Sequence, residues 1–136
     1  MNEFHLTIVT PDGTKFDGNA TSLLVKTESG DVEILAKHAD YFASLGIGRA
    51  RIEASGEKRL ASSAGGFISV KQNEVMLVAT TFEFADEIDI ERAVLAKEKA
   101  EEAISHSNDD KVIMLAKAKL ARAINRINVA DLIKTR

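Results

Sequence analysis

Hydrophobic periodicity changes once along this chain. The change falls in the stretch Phe82-Glu83-Phe84-Ala85-Asp86-Glu87-Ile88-Asp89-Ile90-Glu91-Arg92-Ala93. Upstream, short segments of alternating apolar and polar residues are broken by Gly and turn residues. Downstream, Gly and Pro disappear and the apolar residues fall at helical spacing. Side chains line one face of a strand every second residue and one face of a helix every third or fourth, so one pattern cannot serve both. The chain is therefore expected to hold a β domain over 1–84 and a helical hairpin over 85–136. Three Glu, two Asp and one Arg crowd into the stretch itself, which reads as the opening of a helix and as a junction carrying polar chemistry.

In the first part, Phe4-His5-Leu6-Thr7-Ile8-Val9 alternates as a half-buried strand does, and Thr10-Pro11-Asp12-Gly13 supplies a turn. Further strands are expected at Lys15–Gly18, Ala20–Thr27, Val32–Leu35 and Tyr41–Leu45. Ser55-Gly56-Glu57 joins two more as a hairpin, and Phe67–Val70 and Val75–Ala79 complete the set. Strands at this rhythm build an antiparallel sandwich or barrel. In the second part, Asp89 is placed to cap a helix whose small face is Ala93, Ala96, Ala100 and Ala103, with Ile104 beside it. Asp109 or Asp110 starts a second helix that aligns Ile113, Ala116, Leu120, Ala123, Ile124 and Ile127. The short link between them predicts an antiparallel pair. An alanine-to-aliphatic seam buries little area, so the hairpin is expected to be the less stable part, able to change shape.

The sequence has no Cys, which removes disulfides and thiol chemistry, and its three His are too scattered for a zinc site. No apolar run is long enough for a membrane helix, and no signal peptide is visible at the N-terminus, so a cytoplasmic chain is expected. A formal charge of −3 with 5% aromatics argues against binding nucleic acid. From Lys111 onward, however, seven basic residues face one acid. That segment either solvates as a charged face or docks on an acidic partner.

Arg122 and Arg126 stand at i, i+4 and project from one helix face, where like charges are tolerated best around an anion. Arg92 lies on the facing helix, and the three could converge on a phosphate-bearing ligand. The alternative is that Glu83, Asp89 and Glu91 pair with them, or that all are solvated. There is no Gly-x-x-x-x-Gly-Lys-Ser/Thr loop, and Gly65-Gly66 reads as a turn or bulge. His38 near Asp40 lacks a nucleophile beside it and reads as a structural loop.

Taken together, Phe4–Gly13 with Phe16 and Gly18, Gly65-Gly66-Phe67-Ile68-Ser69-Val70, and Ile88-Asp89-Ile90-Glu91-Arg92-Ala93 resemble the epsilon subunit family of bacterial F-type ATP synthases. The resemblance spans essentially the whole chain. It implies a ten-stranded β-sandwich followed by a helical hairpin, in a non-catalytic subunit on the cytoplasmic face of the bacterial plasma membrane. Such a subunit sits on the central stalk, touches the gamma subunit and the c ring, and has a hairpin that extends toward the alpha and beta subunits to restrain ATP hydrolysis. In some members the folded hairpin binds ATP as a regulatory ligand, with no required cofactor. The matching positions here are Glu83, Ile88, Asp89, Arg92, Ala93, Arg122 and Arg126. Lys99 departs from the Arg common at its place, keeping the charge but losing the planar fork. Glu33, Ala36 and Lys37 depart from the family's Gly, Pro and Gly, in a loop the resemblance places near the c ring. A purely structural stalk adaptor that binds no nucleotide is the other reading.

Overall fold

The structure, a computed structural model, describes residues 2–134. The chain divides into two compact units, Met1–Phe84 and Ala85–Arg136.

The first unit contains ten strands: β1 (Phe4–Thr10), β2 (Gly13–Ala20), β3 (Ser22–Thr27), β4 (Gly30–Leu35), β5 (Tyr41–Ser44), β6 (Ile47–Ala54), β7 (Glu57–Ala64), β8 (Phe67–Lys71), β9 (Glu74–Val78) and β10 (Thr81–Phe84). They form two five-stranded sheets, ordered β2-β1-β9-β8-β5 and β10-β7-β6-β3-β4. Alternate residues point inward from both, so that Phe4, Leu6, Ile8, Leu23, Val25, Ile34, Ile52, Ile68, Leu77 and Phe82 share one buried core. The architecture is the expected sandwich, with one departure from antiparallel pairing. Strands β1 and β9 run parallel, with His5 opposite Glu74 and Val9 opposite Val78. A parallel pair needs a long crossover, and here four of the five strands of the second sheet, β3, β4, β6 and β7, lie in the chain between the two strands.

Gly65-Gly66 is the corner at which the chain passes from β7 in one sheet to β8 in the other. Gly66 sits at φ 90, and a Cβ there would collide with the Val78 carbonyl. Only glycine fits so close a backbone approach. The first residues of the stretch beginning at Phe82 form a tenth strand, which closes the expected β domain. β10 pairs with β7, and Phe82 and Phe84 both turn inward, their rings edge-to-face at 5.3 Å. The Phe-x-Phe spacing has the strand period, and it outweighed the acidic residues around it.

The second unit opens with a 3-10 turn, Ala85–Glu87, followed by α1 (Ile90–His106) and α2 (Asp110–Lys134). Asp89 caps α1 by accepting the Arg92 backbone N–H at 3.1 Å. Asp109 does the same for α2, accepting the Lys111 N–H at 2.9 Å. The two helices pack on each other, and α2 packs also on the 3-10 turn. Ala93 and Ala100 are buried on α1, and Ala116 and Ala123 on α2. Ala96 is exposed, however, and half-buried Lys97 takes its place in the stripe. The seam therefore steps 93, 97, 100, 104, with a half-buried lysine between two buried alanines. Val129 and Ala130, further along α2, are buried too.

Candidate functional site

Seven of the eight positions singled out as a nucleotide site lie in the helical unit; Glu83 lies in the sandwich, half-buried on β10 opposite Ser62. Ile88, just before the α1 cap, and Ala93 near the start of α1 are buried, while Arg92 and Lys99 are exposed. Arg122 and Arg126 are half-buried on α2. The Asp89 carboxylate turns to the helix backbone at Arg92. It thus orders the first turn, whose free N–H groups and dipole favour an anion.

Helix geometry fixes how the basic residues are disposed. At about 100° per residue, Arg92 precedes Ala93 and Arg122 precedes Ala123 by the same rotation. Arg126 and Lys99 are offset from the alanine seam in that same sense. Because the helices run antiparallel, one rotational sense leads to one flank of the hairpin. Ala93 and Ala123 are also equally distant from Asn108 along the chain, so Arg92 falls at a height between Arg122 and Arg126, which are one turn apart. Three arginines set on one flank within about one turn of each other suit a polyanion carried by a small molecule. Lys99 lies on that flank two turns nearer the link.

The other sequence candidates resolve as structure. His38 Nδ1 donates to the Ala39 carbonyl at 2.7 Å, and Asp40 accepts the Gln72 N–H at 3.4 Å, so the two do not form a dyad. Glu33 accepts from Arg51 at 2.8 Å and from Ser22 at 2.9 Å, which commits this unusual carboxylate to the sheet surface. Lys37 keeps a left-handed backbone (φ 64), the conformation a glycine would favour, and its N–H is held by the Asn73 side chain at 2.8 Å. Of the basic residues after Lys111, the Lys134 side chain and Arg136 lie outside the described residues.

One surface escaped the sequence reading. On the outer face of the first sheet, Phe42 is 67% exposed and stacks on Phe67 with ring centroids 5.2 Å apart. Met76, 46% exposed, stands opposite Ser69, which stands opposite Phe42. The signal was present in Val75-Met76-Leu77-Val78-Ala79, a run apolar on both faces where a half-solvated strand would alternate.

Comparison with known proteins agrees with this architecture. The β-sandwich domain of the ATP synthase delta/epsilon chain matches residues 3–85, and the long α-helix domain of the same chain matches residues 86–131. The ATP synthase epsilon chain of Bacillus velezensis is 40% identical over 130 residues, covering 96% of this chain and 98% of that one. That of Caldicellulosiruptor bescii is 34% identical, covering 96% of each. In fold, the chain is similar to one in the mitochondrial ATP synthase of Euglena gracilis, with a TM-score of 0.80 at 23% identity over 96% of this chain and 81% of that one. Among the described residues, no helix is long and apolar enough to cross a membrane. With both units matched in order and over nearly their whole length, the chain belongs to the ATP synthase delta/epsilon chain family, whose epsilon chains are non-catalytic subunits of the central stalk.

Proposed function

We propose that this chain is a regulatory subunit in the stalk of a bacterial F-type ATP synthase that translocates protons or sodium ions, peripheral to the cytoplasmic face of the membrane. Its sandwich docks on the gamma subunit and the c ring and carries rotation. The outer face around Phe42, Phe67 and Met76 supports the gamma contact, because an exposed aromatic and methionine patch is the composition of a protein interface. Its hairpin restrains ATP hydrolysis by reaching the alpha and beta subunits, and ATP favours the folded hairpin.

The observation that carries the nucleotide part of this reading is the disposition of Arg92, Arg122 and Arg126 on one flank, beside the capped first turn of α1. Arg92, Arg122 and Arg126 contact phosphates, with Lys99 as a further point charge. Asp89 bonds the nucleotide's amino or hydroxyl groups or holds those arginines. Ligand binding stabilises one hairpin form only through a difference in affinity between forms. Titration of ATP and ATP-Mg into the isolated chain, followed by amide shifts, tests this. Saturable shifts clustered at Arg92, Arg122 and Arg126, absent with GTP and lost in Arg92→Ala and Arg126→Ala, are expected. No shifts at millimolar ATP would leave the hairpin as a structural adaptor.

A further inference from the structure

Strand β2 is an edge strand, hydrogen-bonded on one side only, to β1. Its residues Phe16, Gly18 and Asn19 form one wall of a cleft of about 310 Å³, and the β6–β7 hairpin, with Ile52, Ala54 and Arg59, forms the other. The side chain that ties this wall down comes from β1. His5 Nε2 lies 2.7 Å from Asp17 Oδ1 on β2, and its Nδ1 lies 2.7 Å from Glu74 Oε2 on β9. One imidazole ring thus spans three strands, including the parallel β1–β9 pair, the weaker pairing type per residue.

Both ring nitrogens can donate only in the imidazolium. Loss of the proton would leave a nitrogen lone pair facing a carboxylate oxygen, and one bond must open. The arrangement does not suit a metal ion, because the carboxylates approach opposite ring nitrogens and a neutral imidazole ligates through one. Hydrogen bonds donated to Glu74 and then to Asp17 raise the His5 pKa above its ordinary value of 6.5. The remaining groups around it are Asn19, opposite His5 on β2; Lys71 of β8, opposite Glu74; and Glu3, just before β1.

We propose that His5, Asp17 and Glu74 form a proton-controlled clasp that holds β2 against β1 and β9 and so keeps one wall of the cleft in place. With the folded pKa raised, the clasp contributes in full below pH 6.5 and is lost as pH climbs through the folded value. At low pH β2 is ordered along its length; at high pH it is held by its backbone ladder alone.

The test is amide hydrogen exchange on the full chain between pH 5.5 and 9, read as protection factors, with the His5 ring titrated in parallel by NMR. Protection across residues 14–19 should fall by roughly threefold or more, the scale of a partly exposed charged pair, with the midpoint of the His5 titration. β6 and β8 should not follow. In His5→Gln the step should vanish, and in Asp17→Asn and Glu74→Gln the His5 titration should move downward. A His5 titrating at its ordinary value, or a step in β2 protection that survives in His5→Gln, would overturn the clasp.

Discussion

The two units are built from different side chains, and this sets what each can do. The sandwich encloses Phe4, Phe82, Leu6, Ile8, Leu23, Ile34, Ile52, Ile68 and Leu77 almost completely, while Val129 is the sole large aliphatic of the helical unit buried to that degree among the described residues. The other buried residues of the two helices are alanines: Ala93, Ala100, Ala116, Ala123 and Ala130. Fully burying a large apolar side chain contributes about 1.5–3 kcal/mol, and an alanine methyl far less. Ordering a helix residue costs similar entropy in either setting. On this ground the hairpin is expected to open more readily than the sandwich. The outer faces of the helices agree, since Leu95, Met114 and Leu115 remain exposed.

This contrast can be broken from either side. Phe82→Ala removes a fully buried ring from the sandwich core and should destabilise that unit by about 3–5 kcal/mol, seen as a large fall in the denaturant midpoint. Ala93→Leu should act on the hairpin, because a branched side chain does not fit where the methyl is fully buried. A loss of about 1–3 kcal/mol is expected there, read as weaker protection of α1 and α2 with the strands unchanged. Asp89→Ala removes the cap that accepts the Arg92 N–H and should cost about 1 kcal/mol of helix stability, visible as fraying of the first α1 turn.

Much of this division was legible from period alone. Alternation located nine of the strands, and the disappearance of Gly and Pro located the helices, with Asp89 and Asp109 at their caps. Residues 82–84 fell inside the expected β domain, but the residue pattern singled out no strand there, because acidic residues between Phe82 and Arg92 resemble a first turn. The parallel β1–β9 pair was not legible, since period fixes which face a residue occupies and not which strand becomes its neighbour. Lys97 in the seam was missed because a charged head hides an apolar stem. The His5 clasp joins residues far apart in sequence, and the strand order alone makes them neighbours. Of the candidate site, the arginine spacing on α2 was readable at once; the height of Arg92 between those two arginines needed the alanine register between the helices.

The central claim is that the hairpin opens more readily than the sandwich. Native-state hydrogen exchange of the whole chain in low denaturant measures this directly. The account predicts that amides of α1 and α2 exchange through openings of clearly lower free energy than those of β1, β6 and β8. A single opening energy shared by helices and core strands would contradict it.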